Sequence, residues 1–201
     1  ISGNDTKQKR TGAVYKFGGT YTRILNLLYP KVCPFCGEIS PEGVCAECKK
    51  KIIYVRQPRC MRCGKPIKDE YKEYCSDCAK RTSHITQGRS LWLHKEPVST
   101  AIYKFKYNNK RSWGELFAAE MAQAYKDQVI KWGIEEIIPI PLHKSRKRKR
   151  GYNQAEIIAK CLSEKTGVSL VSDALFRVKK TTAQKKLDRQ ERMGNLRDAF
   201  A

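Results

Sequence analysis

CPFCGEISPEGVCAEC, residues 33–48, sets the architecture of the first half of this chain, and residues 60–78 repeat its pattern as CMRCGKPIKDEYKEYCSDC. Each stretch carries two Cys-x-x-Cys pairs, and a glycine follows the first pair of each. Tetrahedral Zn²⁺ takes four thiolates, which two such pairs joined by a short hairpin supply, and a closed four-cysteine site stabilises a fold without doing chemistry. The sequence therefore predicts two structural zinc ions, with these ligands: Cys33, Cys36, Cys45, Cys48, Cys60, Cys63, Cys75 and Cys78.

The spacing of the cysteines leaves their assignment to the two zinc ions open. Sequential sets, with the first four cysteines in one site and the last four in the other, are favoured over an interleaved arrangement. A disulfide framework is disfavoured because no segment with the pattern of a secretory signal accompanies the cysteines. A thioredoxin-like redox pair is disfavoured because no βαβ pattern flanks them. The ninth cysteine, Cys161, lies in an apolar helical segment and is expected to fill space in the core.

Composition favours a polyanionic partner. Among 201 residues, 41 are Lys or Arg and 20 are Asp or Glu, which gives a formal net charge of +21. Such a field attracts nucleic acid or phosphorylated metabolites but does not choose between them. No apolar run reaches the roughly 18 to 20 residues of a membrane span, so a soluble, cytoplasmic protein is expected. The chain begins with Ile1 and stops at Ala201 after a helix-like run, which suggests a fragment of a longer frame.

Three regions are predicted: a leader with a short helix over residues 1–30, a double zinc ribbon over residues 31–80, and an α/β domain over residues 81–201. In the third region apolar strand-like runs alternate with helical patterns, which is typical of a mainly parallel sheet with ligands at the carboxyl ends of its strands. The predicted elements are a strand at 90–94, helices at 97–107 and 112–132, a buried strand at 134–140, a helix at 153–166 and a strand at 168–171. Ser112 and Glu115 are expected to form a capping box at the second of these helices.

One connection in this third region is strongly basic. Residues 139–154, PIPLHKSRKRKRGYNQ, contain six cations at positions 144–150 and no acid. Runs of Lys and Arg are usually solvated loops, but this one is expected to lie between a buried strand and a helix start, where backbone N–H groups and cations bind phosphate. Gly151 permits a sharp turn there. Of the aromatic residues, Trp92, Tyr103, Phe105 and Trp113 are expected in the core and not in a base-stacking platform.

Taken together, four segments resemble the ComF family of phosphoribosyltransferase-like competence proteins, over about Ile24–Ala201. These are LLYPKVCPFCG, the double four-cysteine ribbon, PIPLHKSRKRKRGYNQA, and FRVKKTTAQKKLDRQERMGNLRDAF. The most specific parts are RGYNQ at 150–154 and a spaced set in the last segment. That set is Arg177, Thr182, Gln184, Leu187, Arg192, Asn195 and Phe200.

The resemblance implies a type I phosphoribosyltransferase-like fold behind the zinc module, and a role with incoming single-stranded DNA in natural transformation. It implies binding of phosphoribosyl pyrophosphate (PRPP) with Mg²⁺, and a mobile cover at residues 179–192 that supplies the catalytic candidates Lys179, Thr182, Gln184 and Arg192. The implied pyrophosphate ligands are Lys144, Arg146, Arg148, Arg150, Gly151, Asn153 and Gln154.

The sequence departs from that family pattern at one point. Paired acids followed by a Thr-Thr-Gly turn, which cradle the 5′-phosphate in the family, are absent, and Thr181 and Thr182 lead into Ala183 and Gln184 instead. The chain is therefore expected to carry a truncated transferase domain with half of the substrate site. The alternative function is a zinc-ribbon DNA-binding or adaptor protein that docks a competence helicase or another DNA-processing protein without catalysis.

Overall fold

A computed structural model describes residues 30–182, 184 and 187–201. Residues 21–29 of the predicted leader helix lie outside this range. None of the described helices is long and apolar enough to cross a bilayer. The described elements are α1 (Ala46–Lys51), α2 (Ser76–Ala79), α3 (Val98–Tyr107), α4 (Trp113–Lys131), β1 (Glu136–Ile137), α5 (Lys144–Arg150), α6 (Gln154–Thr166), β2 (Ser169–Leu170) and α7 (Arg189–Leu196).

The core is an aromatic cluster to which the first zinc ribbon and the helices both contribute. Phe35 of the ribbon meets Trp92 edge to face, with ring centroids 5.4 Å apart, and Trp92 meets Phe117 of α4 at 5.5 Å. Phe105 of α3 packs against Phe117 at 5.3 Å. Such edge-to-face pairs stabilise beyond the area they bury. The first ribbon and the helical region therefore share one core. The predicted boundary between a zinc ribbon domain and an α/β domain, at residues 80 and 81, stays a prediction.

The two predicted helices of this region are confirmed as α3 and α4. Val98 and Phe105 of α3 are buried on one side of the helix. The capping box predicted for α4 is wrong, because the Ser112 side chain makes no capping hydrogen bond. Its backbone is already helical, with φ −59° and ψ −23°, whereas a capping side chain needs the extended backbone of a true N-cap. The capping box that is present joins Asp188 and Glu191 at α7.

The sheet is smaller and more exposed than the sequence predicts. Within the described residues it has two parallel strands, β1 and β2, which pair at 136 with 169 and at 137 with 170. The predicted buried strand at 134–140 is wrong in length and burial, since Ile134, Ile138 and Ile140 are 39%, 45% and 58% exposed. One hydrogen-bonded neighbour cannot cover this apolar run, and Pro139 cannot donate to a ladder. The predicted strand at 90–94 is likewise wrong, because it reduces to one bridge between Trp92 and Tyr54.

The basic connection forms a helix, α5, where a loop was predicted. Lys and Arg are good helix formers, and the His143 side chain accepts a hydrogen bond from the Ser145 N–H to cap the start. Gly151 ends the helix in the left-handed region at φ +78°. The predicted α6 is confirmed, with Asn153 as its N-cap and Gly167 as its C-cap.

Helix α4 packs against α6 closely enough to require a glycine. A Cβ at Gly114 would lie 2.4 Å from Ile157 Cγ2 and 3.2 Å from Phe105 Cζ. Because overpacking forces neighbours off their rotamers, Gly114→Ala should destabilise the protein by about 1 to 3 kcal/mol, measured by thermal or urea denaturation. Gly194→Ala is the matched control, since nothing lies within 4 Å of its Cβ position in helix α7. Equal stability of the two variants would contradict this packing.

Candidate zinc centres and a basic cleft

Two four-cysteine clusters are preformed in the structure. Within each, the four sulfur atoms all lie within 4.8 Å of one another, and the sets are Cys33, Cys36, Cys45 and Cys48, and Cys60, Cys63, Cys75 and Cys78. Zn–S bonds of about 2.3 Å in a tetrahedron place sulfur atoms about 3.8 Å apart. The Cys36–Cys45 and Cys63–Cys75 sulfur distances are 3.7 and 3.8 Å. The structure groups the cysteines into the two sequential sets, and all nine cysteines are free of disulfide bonds.

Local backbone geometry shapes both clusters in the same way. Gly37 and Gly64 adopt φ +90° and +73°, so the chain turns back and each glycine N–H donates to the carbonyl of Cys33 or Cys60 at 2.9 Å. Burial alone raises the pKa of the Cys33 thiol, but hydrogen bonds from nearby backbone groups lower it to about 7. The same balance lowers the pKa of Cys60 to about 6. Zinc binds the thiolate form, and in the same clusters burial and the neighbouring thiols raise the pKa of Cys48 and Cys78.

The two clusters differ in how they join the rest of the fold. Cys33 and Cys48 belong to the main core, beside Phe35 and Val44. Cys60 is fully buried, yet it does not belong to that core. The second ribbon is closed by its own contacts, since the Arg62 guanidinium donates to the carbonyl oxygens of Cys78 at 2.6 Å and Arg81 at 2.8 Å. Zinc at the first cluster therefore supports the main core, and zinc at the second supports the second ribbon.

A basic cleft lies between α3, α5 and the start of α6, with a volume of about 1290 Å³. Its described lining holds cations from four parts of the chain and no carboxylate. Like charges held together without counter-charges favour an anionic ligand. The lining cations are Lys106, Arg111, Arg146, Arg148, Lys149, Arg150 and Arg177.

The RGYNQ motif builds one wall of this cleft, and each of its residues has a distinct part. Arg150 donates to the Gln154 side chain at 3.0 Å and to the Tyr107 hydroxyl at 3.1 Å. Gly151 turns the chain, and a Cβ there would lie 2.6 Å from the Arg111 guanidinium. Tyr152 anchors the motif in the core, where its hydroxyl donates to the Phe105 carbonyl. Asn153 caps α6 and donates to the Ile140 carbonyl at 3.1 Å, so its polar atoms are already engaged within the protein.

Three buried donors in the cleft lining lack a partner in the described structure. They are Gln154 Nε2, Gln184 Nε2 and Arg177 Nε. An unpaired buried donor is costly, and an oxygen-rich ligand in the cleft offers the acceptors that these groups lack. Burial and the neighbouring charge of Arg146 both lower the pKa of Arg177, which shows two cations held close together. Both donate to Thr181, Arg146 to its carbonyl and Arg177 to its hydroxyl.

The sequence-predicted ligands are only partly brought together. Six of the seven pyrophosphate candidates line the cleft, and Lys144, at the exposed start of α5, does not. Of the four catalytic candidates, Gln184 lines the cleft and Lys179, Thr182 and Arg192 do not. Thr182 exchanges backbone hydrogen bonds with the Asn195 side chain, and Arg192 donates to the Gln184 carbonyl at 3.0 Å. These contacts tie the segment around residue 182 to α7, while positions 183, 185 and 186 of the predicted cover lie outside the described residues.

Sequence reasoning did not assign several cleft-lining residues to the site, among them Tyr103, Tyr107, Arg111 and Arg177. No local pattern assigns the two arginines to the cleft, because they reach it from distant parts of the chain, although Arg177 belongs to the spaced set that carries the family resemblance. The tyrosines were detectable, since helical spacing places them opposite Val98 and Phe105 on α3. The expected core position is confirmed for Phe105 and Trp113, which are buried, and Trp92 is partly buried against the core. It is wrong for Tyr103, which is 55% exposed.

Comparison with known proteins gives one matching family and several relatives. Residues 24–79 match the family described as the double zinc ribbon domain. The chain is 30% identical over 167 residues to competence protein F of Haemophilus influenzae, covering 81% of this chain and 71% of that protein. It is 27% identical over 131 residues to competence protein ComFC of Bacillus subtilis, covering 60% of this chain and 52% of that protein.

A third relative carries a different description. The chain is 24% identical over 184 residues to DNA utilization protein YhgH of Salmonella typhimurium, covering 87% of this chain and 78% of that protein. No solved structure matches the chain. The matches to competence protein F and to YhgH are each longer than the residues 24–79 that match the zinc ribbon family.

The unequal placement of the two zinc clusters predicts unequal effects of losing them. Cys33→Ser and Cys60→Ser should each reduce bound zinc from two ions to one, measured by elemental analysis. Cys33→Ser should also lower the midpoint temperature of helix unfolding by roughly 6 to 12 °C. Cys33 is both a candidate zinc ligand and a core residue, so its loss should reduce the free energy of unfolding by about 3 kcal/mol. Cys60→Ser should shift that midpoint by less than half as much. Equal shifts followed by circular dichroism would contradict the shared core.

Proposed function

The chain belongs to the family of competence protein F, and from that membership we propose that it acts in DNA uptake by binding the phosphates of incoming single-stranded DNA in the basic cleft. The observation that carries this proposal is the cleft itself, with seven lining cations and no described carboxylate. The named relatives are competence and DNA utilization proteins. Lys and Arg side chains that neutralise backbone phosphates release counterions, which gives binding without sequence preference.

The same cleft is also proposed to bind PRPP through its pyrophosphate. Strand β1 leads through α5 into α6, so the cleft forms at the carboxyl end of a parallel strand, where ligands bind in open α/β sheets. The unpaired donors of Gln154, Gln184 and Arg177 suit the oxygens of a pyrophosphate. In a phosphoribosyl transfer the leaving pyrophosphate gains negative charge, and fixed cations beside it lower the barrier.

Mg²⁺ fits the cleft less well than pyrophosphate does. Mg²⁺ prefers carboxylate, water and phosphate oxygens, and among its described lining residues the cleft offers no carboxylate. The residues present therefore fit the anion and supply no direct ligand set for the metal. Zinc is different, because both four-cysteine clusters match its preferred ligands and geometry.

An adaptor role is the alternative proposal, and the second ribbon is the feature that favours it. This ribbon lies outside the main core, and Tyr71 near its tip is 91% exposed. Such a surface suits docking of a helicase or another DNA-processing protein. Capture of that partner by the intact protein but not by Tyr71→Ala would favour the adaptor role, and capture by both would count against docking at this tip.

A pair of substitutions on α5 tests DNA binding at the cleft. Arg148 lines the cleft and Lys144 does not, and neither side chain makes a hydrogen bond or ion pair within the described residues. Arg148→Ala should weaken binding to an oligothymidine. It should also make the negative slope of log affinity against log salt concentration shallower by about 0.7, as expected for one lost phosphate contact on a single strand. Lys144→Ala should change neither. Fluorescence anisotropy titrations at several salt concentrations measure both quantities, and equal effects of the two variants would contradict the assignment.

Calorimetry tests the PRPP proposal separately. Titration of the protein with PRPP and Mg²⁺ should give saturable heat. Arg146→Ala should lower the affinity for PRPP by at least about tenfold, because it removes a hydrogen bond to a charged group. Inorganic pyrophosphate should compete for the same site. Heat no greater than a buffer control would rule out PRPP binding by this chain while leaving the DNA proposal standing.

A further inference from the structure

We propose that Tyr103 and Tyr107 form a stacking site for a nucleobase of single-stranded DNA, beside the phosphates held by α5. The inference rests on the proposed DNA-binding function and adds a second kind of contact to it. Both tyrosines line the basic cleft, and they are 55% and 51% exposed. Large aromatic rings half open to solvent inside a cationic cleft are the combination that single-strand binding proteins use.

The geometry of the two rings suits stacking. Tyr103 and Tyr107 lie one helical turn apart on α3, with ring centroids 4.8 Å apart and planes inclined by 44°. Their positions on α3 are opposite those of Val98 and Phe105, which bury the other side of the helix. The core therefore fixes α3 from behind and presents both rings to the cleft. Because the protein already holds the ring in place, stacking a base on it costs less conformational entropy than ordering a free side chain would.

Arg150 links this aromatic pair to the phosphate-binding helix. Its guanidinium lies 4.7 Å from the centroid of the Tyr107 ring and donates to the Tyr107 hydroxyl. Tyr107 thus has both Tyr103 and Arg150 against its ring, whereas among the described residues Tyr107 is the one aromatic ring paired with Tyr103. Tyr103 carries no cation over its ring within the described part of the chain, and Arg150 and Lys106 supply positive charge in the same cleft. A nucleotide has both parts that such a site recognises, an aromatic face and an adjoining phosphate.

A purely structural role accounts for less of what is observed. An aromatic pair spaced four residues apart can stabilise a helix. That role requires neither a cleft position nor an arginine over one ring. A negatively charged peptide would use the cations and leave the rings without a matching contact. Single-stranded DNA uses both, and the stacking of a base is tolerant of sequence because every base has a π-face.

The experiment compares an oligothymidine with an abasic oligonucleotide of equal length, by fluorescence anisotropy. Wild-type protein should bind the oligothymidine more tightly than the abasic strand. Tyr103→Ala should weaken binding to the oligothymidine by about 5- to 150-fold, the range for losing one stacked base, and leave abasic binding unchanged. Tyr103→Phe should restore wild-type affinity, because the ring is kept. Tyr71→Ala is the matched control, since it removes an exposed tyrosine outside the cleft.

Each remaining outcome decides the inference. Equal affinity of wild type for the two strands, or equal effects of Tyr103→Ala and Tyr71→Ala, would overturn stacking while the phosphate-binding proposal stands. Binding of neither strand by wild type would overturn both. If Tyr103→Ala fails to fold, an oligonucleotide with a single 2-aminopurine decides the matter with wild type: quenching on binding supports stacking, and unchanged fluorescence overturns it.

Discussion

The edge-to-face packing of Phe35 against Trp92, and of Trp92 against Phe117, is the contact on which the rest of the structure depends. It joins the first zinc ribbon to α4, and Phe117 then holds Phe105 of α3. The Phe105 carbonyl oxygen in turn accepts a hydrogen bond from the Tyr152 hydroxyl. A continuous series of packed groups thus runs from the first four-cysteine cluster to the RGYNQ wall of the cleft. The first four-cysteine cluster is thereby connected through packed side chains to the residues that are proposed to contact ligand.

The cleft combines features that a purely structural surface would avoid. Arg146 and Arg177 lie close enough for their charges to interact unfavourably, and three buried donors lack partners within the described residues. Each of these two features lowers the free energy of unfolding of the protein. An anionic ligand with several oxygens reverses both costs at once, because it supplies counter-charge and acceptors in one place. Under the proposed function, the folding free energy lost to these two features would contribute to affinity, as expected for a binding site that is organised before its ligand binds.

The features that depend on local sequence could be predicted, and those that depend on distant neighbours could not. The eight zinc ligands, the Asn153 and Gly167 caps and the course of α3 follow from spacing within a few residues. The burial of Ile134 and Ile138 depends on what covers them, and the described residues provide one neighbouring strand. Arg111 and Arg177 join the cleft only through the tertiary fold. For α5 the helix propensity of Lys and Arg prevailed over the loop expected from their charge.

The shared core also constrains the order in which the protein can be made. Phe35 leaves the ribosome 82 residues before Phe117, its partner across the aromatic cluster. At roughly 5 to 20 residues per second, that interval lasts about 4 to 16 s. During it the first ribbon has all four cysteines of its cluster but cannot bury Phe35 against Phe117 of α4. The newly made ribbon therefore carries an exposed apolar face until α4 has been made, and exposed apolar surface on an incomplete chain promotes aggregation.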